Sequence, residues 1–329
     1  MIQRFTRRQM LMTLAGAAAL ATGRTWAQDK WPSRPIHMVA PTGAGSGTDI
    51  IARLIADKLG ASLKQPVVVD NKPGANGVVG IEFFVHQPPD GYTITMVTSS
   101  STVVNQALQP SLPFDVTRDL VPIALVAQAG SHLVVTPEFP ARTLREFVAL
   151  VKGNPDKYNY GSWGIGSSGH LLMAWFMAQA GLKMNHVPYK TVPQIYQDLQ
   201  GGNLQIAWVD AASSVPLIKS GKLRALTTSA SRRGAALPDL PTFTEQGYPF
   251  DADAWFGIFG VKGTPKPIID TLHREILAII QAPDYRDRLK NMSLLESEPK
   301  SPDEIAAIMR RDLKVWQEIV TKNNITVAG

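Results

Sequence analysis

Two α/β lobes are what this sequence predicts, and three observations predict them. Short apolar runs alternate with amphipathic ones along most of the chain, as strands and helices laid down in turn would. The 329 residues are too many for one core of the usual ~100–200 residues. There is no cysteine, so stability rests on ordinary burial, for which 44% apolar residues suffice. The same absence excludes disulfides, thiolate metal sites and a lipid-anchoring cysteine.

The first element is a leader. Arg4, Arg7 and Arg8 precede an apolar run over residues 10–21, and Thr25-Trp-Ala27 ends on a small residue. This pattern predicts a secretory signal over residues 1–27. The apolar run is too short for a bilayer span of ~20 residues. Thr6-Arg-Arg-Gln-Met-Leu11 is similar to the twin-arginine export signal, with Met10 where Phe is usual. The segment holds four of the 33 basic residues and none of the 27 acidic ones, leaving 29 against 27. A mature chain so nearly neutral argues against nucleic acid or anionic membranes as partners.

Strands are then predicted at residues 35–40, 66–70 and 92–97, with helices over 49–63, where Ile51, Leu54, Ile55 and Leu59 recur at helical spacing, and up to about 85. A second α/β series starts near residue 129. Thr143 and Glu146 form a capping-box pair for a helix over 144–151. Strands follow at 158–160, 184–187, 204–209 and 223–228. Between them lie helices over 169–180, ended by Gly181, and 191–200, ended by Gly201-Gly202. Residues 234–253, rich in Pro and Gly, read as a connection. A strand at 254–261 and amphipathic helices over 265–281 and 301–323 complete the chain.

Two loops join a strand to a helix in a way that suits an anion. One is Pro41-Thr-Gly-Ala-Gly-Ser-Gly-Thr-Asp49, offering Thr42, Gly43, Gly45, Ser46, Gly47 and Thr48. The other is Gly161-Ser-Trp-Gly-Ile-Gly-Ser-Ser-Gly-His170, offering Ser162, Trp163, Ser167, Ser168 and His170. Glycine lets the backbone approach a ligand, and a helix start supplies unpaired N–H groups and the positive end of its dipole. Each loop is equally consistent with a plain tight turn. Asp49 reads as a helix N-terminal charge. Asp210 ends a strand, where either ligand contact or capping of the next helix is expected. His132 and His170 fall beside the expected cleft, whereas His37 and His186 lie in strand-like runs and read as packed. Trp163 and Trp208 are consistent with either core packing or an aromatic wall.

Enzyme readings fare worse. Gly43-x-Gly45-x-Gly47 with Asp70 imitates a dinucleotide fingerprint, but the spacing is G-x-G-x-G rather than G-x-G-x-x-G. An exported cofactor-dependent oxidoreductase is therefore the alternative. Thr48-Asp49 stands where a phosphate loop needs Lys-Ser/Thr, no G-x-S-x-G elbow occurs, and the histidines lack metal spacing. No cofactor and no metal is expected.

From Trp31-Pro-Ser-Arg-Pro-Ile36 onward the chain resembles the Bug-type solute receptors of tripartite tricarboxylate transporters. The blocks that carry the likeness include Gln65-Pro-Val-Val-Val-Asp-Asn-Lys-Pro-Gly-Ala75, Pro89-Asp-Gly-Tyr92, Leu112-Pro-Phe-Asp115, Asn159-Tyr-Gly-Ser162, His186-Val-Pro-Tyr-Lys190, Gly221-Lys-Leu-Arg-Ala-Leu226 and Leu237-Pro-Asp-Leu-Pro-Thr242. The resemblance implies a two-lobed, type II-like periplasmic-binding-protein fold whose two crossover hinges close over a carboxylate. Lobe 1 would hold residues 28–128 and 252–329, and lobe 2 residues 129–251. It also implies ligand contacts from Thr42–Thr48, from the 98–101 segment with Ser99 and Ser100, from 130–132 with Ser131 and His132, from 162–170 and from Asp210. A monomer serving membrane subunits of the transporter, or feeding a sensor system, is implied as well. The first loop departs from the usual Pro-Phe-Pro-Pro-Gly-Gly. Trp163 replaces a small residue, Trp208 a Phe, and Ala211 an Asn. These departures tilt the expected ligand from acidic amino acids toward an aromatic or larger carboxylate.

Overall fold

The protein is described by a computed structural model covering residues 31–109, 111–250 and 254–322; the expected signal segment lies outside these residues. Both sheets lie in one compact unit that begins at Arg34.

The first sheet contains β1 (Ile36–Ala40), β2 (Val67–Asn71), β3 (Thr93–Thr98), β4 (Leu120–Ala129) and β10 (Ala254–Val261), in the order β2-β1-β3-β10-β4. The second contains β5 (Ser131–Val135), β6 (Asn159–Ser162), β7 (Asn185–Pro188), β8 (Ile206–Asp210) and β9 (Arg224–Thr228), in the order β7-β6-β8-β5-β9. In each sheet three strands run parallel, and the fourth in order runs antiparallel to its neighbours. The chain passes between sheets twice, at β4 to β5 and at β9 to β10. This is the two-lobed α/β architecture expected.

Helix starts follow local capping chemistry. Ser46 caps α1 (Gly47–Leu63), and its Oγ accepts from the Asp49 N–H. Ser167 caps α6 (Ser168–Ala180) in the same way through the His170 N–H. Both helices begin one or two residues earlier than their apolar periodicity suggests, because serine oxygens satisfy the first turn. Between them lie α2 (Val78–Val85), the short α3 (Asn105–Leu108) and α4 (Val116–Asp119), and α5 (Leu144–Lys152). The last starts where the Thr143 box places it, with Glu146 N–H donating to Thr143 Oγ1 at 3.2 Å. After α6 come α7 (Val192–Gln200), α8 (Ala211–Lys219), α9 (Lys266–Gln281), α10 (Pro283–Asn291) and α11 (Pro302–Lys322).

Strand β4 was not predicted. Pro122 interrupts its pattern, and proline is tolerated there because β4 is an edge strand, whose one neighbour among the named strands is β10. β5 and α10 also went unpredicted, and α8 was anticipated only as the helix Asp210 would cap, without bounds; α8 carries Pro216 inside it and α10 has few apolar residues.

One apolar core runs beneath both sheets, from Val39, Phe84 and Val97 to Phe147, Phe176 and Trp208. Aromatic rings link α6 to α11: Trp175 lies 5.0 Å from Phe250, which lies 6.4 Å from Trp316. The two crossovers are hydrogen-bonded side by side. Ser131 N–H donates to Ser229 Oγ at 2.8 Å, and Ser229 N–H returns to Ser131 O at 2.9 Å.

Gly130 lies where they touch. A methyl group there would sit 2.7 Å from both the Ala230 Cβ and Thr228 Oγ1. We expect Gly130→Ala to lower the unfolding free energy by about 1–3 kcal/mol through overpacking. Chemical denaturation of the two proteins checks this, and an unchanged midpoint would contradict the tight crossover.

Candidate functional site

Both glycine-serine loops open onto one cavity between the sheets, of about 80 Å³. That is room for on the order of five to eight waters, hence for a small organic molecule rather than a dinucleotide. From the first loop Thr42, Gly43, Ser46, Gly47 and Thr48 line it, with Pro41. The second contributes Trp163 and Ser168; Ser100, Ser131 and Asp210 complete the residues expected from sequence.

The remaining six do not line the cavity, and each has a structural task behind it. Gly45 has φ +80°, the left-handed region that favours glycine, and its N–H donates to Asp49 Oδ2 at 2.9 Å. Ser99 is buried and starts the π-helical turn Ser100–Val104. Ser162 Oγ pairs with His186 Nε2 at 2.7 Å, and Ser167 Oγ donates to Ser162 Oγ at 3.2 Å. His170 Nδ1 accepts the Gly166 N–H at 3.2 Å, so its proton sits on Nε2. His132 is 2% exposed, inside the second sheet, and bonds Ser214 Oγ at 2.9 Å.

The first loop is braced by Asp49. Its buried carboxylate accepts from Gly45, from Asn71 Nδ2 at 2.9 Å and from Arg53 Nε at 3.1 Å. Burial alone would raise its pKa, but these donors outweigh it and hold the group below the usual carboxylate range. Asp49 is thus fully engaged as a helix-start brace. Ser46 Oγ adds a bond to Thr42 Oγ1 at 2.9 Å.

The lobes meet at both helix starts. The Asp210 carboxylate, at the end of β8 in the second sheet, packs against Gly47 at the start of α1. Ser100, from the first lobe, accepts the Ser168 N–H at the start of α6, at 2.9 Å. Asn76 Nδ2 reaches both Ser100 O and Gly166 O at 3.3 Å. Trp163 Nε1 donates to Ser100 Oγ at 3.4 Å. Gly43 and Gly47 of the glycine triplet are explained by the facing lobe rather than by a cofactor. A methyl on Gly43 would sit 2.6 Å from the Thr191 Cγ2, and one on Gly47 would strike the Asp210 carboxylate. Asp70, the would-be ribose partner, instead pairs with His37 at 2.8 Å on the surface. His37 is therefore half-exposed and hydrogen-bonded to Asp70, not packed as its strand position suggested.

Donors remain. The Thr48 N–H, the Thr48 hydroxyl and the Ser168 hydroxyl have no partner among the described residues, and Thr48 and Ser168 line the cavity. Among the lining residues the charged groups are Asp210 and the exposed Lys190. Asp210 also caps α8, accepting from Ser213 N–H at 2.9 Å and Ser213 Oγ at 2.7 Å. It therefore caps a helix, one of the two alternatives raised for it, and it also lines the cavity. Burial raises its pKa against these hydrogen bonds. Trp208 belongs to the core, fully buried 5.4 Å from the Phe243 ring.

Sequence reasoning missed Asn76, Lys190 and Thr191. Asn76 has φ 52°, a conformation asparagine tolerates, and its Pro-Gly-Ala-Asn-Gly turn was the available signal. The described residues contain no group of three metal-ligating side chains, and no helix long and apolar enough to cross a membrane.

Residues 51–325 match the profile of the tripartite tricarboxylate transporter family receptor. The chain belongs to that family. Protein BugT of Bordetella pertussis is 37% identical to this receptor over 256 residues, covering 77% of this chain and 78% of BugT. MatC from Rhodopseudomonas palustris, solved with bound malate, is 29% identical with a TM-score of 0.83, covering 88% of this chain and all of MatC. Rpa4515 from the same organism, solved with adipate, is 27% identical with a TM-score of 0.85, covering 90% and 99% of the two chains. The receptor is a solute-binding protein and not an enzyme, so the oxidoreductase alternative falls.

Two histidines behind the site make its stability pH-dependent. Burial lowers the pKa of His132 to about 4. Burial, together with the His170 ring stacked 4.1 Å away, lowers that of His186 to about 3. The unfolded chain takes up these protons near pH ~6.5 while the folded one resists. Their stability is thus complete above ~6.5 and is lost as pH falls from there toward the folded values. The receptor's Tm should fall progressively from pH 7 to 5, a window above the titration of its paired carboxylates. A flat profile in thermal unfolding would contradict the neutral, buried state of both rings.

Proposed function

We propose that this receptor works in the periplasm. There it closes its lobes over a small organic acid, a di- or tricarboxylate or an aromatic acid. It then delivers that acid, as a monomer, to the membrane subunits of a tripartite tricarboxylate-type transporter. The observation that carries the reading is the convergence of α1 and α6 starts, from opposite lobes, on one cavity edged with unpaired N–H and O–H donors. Such donors and two helix dipoles favour an anion. The malate and adipate held by MatC and Rpa4515 support a carboxylate.

In this reading one carboxylate of the guest takes bonds from Thr48 and Ser168, with Thr42, Gly43, Ser46, Gly47, Ser100 and Ser131 around it. Trp163 forms an apolar wall that suits a ring or a longer carbon chain. Gly45, Ser99, Ser162, Ser167, His132 and His170 hold those groups in place. An affinity near 1 µM needs about −8 kcal/mol, within reach of a few charge-assisted bonds in a closed, dry cavity. Closure presents a surface formed only by the loaded state, which the membrane subunits select.

Thermal-shift screening of ligand-free receptor against organic acids, aromatic ones included, tests the proposal. At least one acid should raise the Tm in a concentration-dependent way, without turnover. Ser168→Ala should weaken that acid's binding by roughly 1–3 kcal/mol with the fold intact. Ser46→Ala should weaken it too, and also cost about 1 kcal/mol of stability through the lost helix cap. Isothermal titration and unfolding separate the two effects; unchanged affinity in both variants would contradict the assignment.

A further inference from the structure

We propose that Asn76 is a positioning residue that holds the two lobes shut, acting through Gly166 and Ser100 rather than by touching the guest. The inference rests on the closing motion of the reading above and names the side chain on which that motion depends.

Asn76 stands in the turn between β2 and α2, on the first lobe. Four consecutive residues there, Gly74, Ala75, Asn76 and Gly77, have positive φ, of 144°, 44°, 52° and 93°. For Ala75 such backbone is unfavourable, and it persists only where the surroundings over-determine it. Packing does so here. A methyl group on Gly77 would sit 2.8 Å from the Ser101 Cβ, and one on Gly80 would sit 2.6 Å from the Pro41 Cβ. The turn is fixed with its asparagine reaching the second lobe.

The hydrogen bonds of this side chain are fully allotted. A side-chain amide has two N–H donors. Both neighbours of Asn76 Nδ2 are carbonyl oxygens, Ser100 O in its own lobe and Gly166 O in the other, each at 3.3 Å. Its Oδ1 accepts the Ser100 hydroxyl at 3.5 Å. That bond turns the one hydroxyl hydrogen of Ser100 toward Asn76 and leaves the two lone pairs of its oxygen for the second lobe. They take the Ser168 N–H at 2.9 Å and the Trp163 Nε1–H at 3.4 Å. One amide thus makes one bond across the cleft and orients the acceptor of two more. It keeps no N–H for a guest.

The chain has no cysteine, so two introduced ones carry spin labels at chosen places. Glu82→Cys on α2 and Arg145→Cys on α5 put exposed labels on opposite lobes. Pulsed double electron–electron resonance should show a short-distance population, with or without succinate, adipate or benzoate. Asn76→Gly keeps the left-handed turn but removes the amide, and should reduce that population. Any of these acids that binds should leave the variant about three- to tenfold faster in stopped flow, the scale of one hydrogen bond, and by the same factor for each acid. Asn76→Asp tolerates the same backbone but cannot donate; it should reduce the population too, and it decides the matter should Asn76→Gly not fold. An unchanged distance distribution, an unchanged dissociation rate, or a rate change confined to one of several acids, as direct contact would give, each overturns the proposal. If no organic acid binds at all, the distances still decide it, and the carboxylate reading fails separately.

Discussion

A helix start leaves N–H groups that the helix itself cannot satisfy, and this receptor places two such starts, from separate sheets, on the same small cavity. Its lobes meet through them. Asp210 packs against the first turn of α1 from across the cleft, and Ser100 accepts from the first turn of α6. The Ser100 bond satisfies a group that would otherwise need water, the same deficiency that attracts an anion. The glycines follow from this constraint. Gly43 and Gly47 lack side chains because the other lobe occupies that space.

Among the described residues lining it, the site has no buried cation. Lys190 is exposed, and Arg53 is spent on Asp49. Neutral donors and helix dipoles avoid the desolvation cost that a buried guanidinium would carry. Behind the cavity the stacked His170 and His186 rings and the buried His132 stay neutral, which keeps the rear of the site uncharged at neutral pH.

Much of the fold was legible because capping and periodicity are local. Thr143 with Glu146 placed α5, and Gly181 ended α6, without any knowledge of the neighbours. β4 was hidden by Pro122, whose tolerance depends on being at a sheet edge, a property of the assembled sheet. The two site loops were visible for the same local reason as the helices they start. What the residues alone did not disclose is the pairing across the cleft: Gly43 against Thr191, Gly47 against Asp210, Asn76 against Gly166. Those partners are far apart in sequence and meet only in the folded chain. The placement of His132, Ser162, Ser167 and His170 behind rather than at the cavity is likewise a tertiary outcome, since strand and loop position alone do not say which side chain turns inward.

The central claim is that helix starts from both lobes grip one anion together. Amide NMR of the ¹⁵N-labelled receptor during titration with a bound acid tests it most directly. The account predicts that the Thr48 and Ser168 amides shift together along one binding curve with a single Kd. Movement confined to one lobe's amides, or to neither, would contradict it.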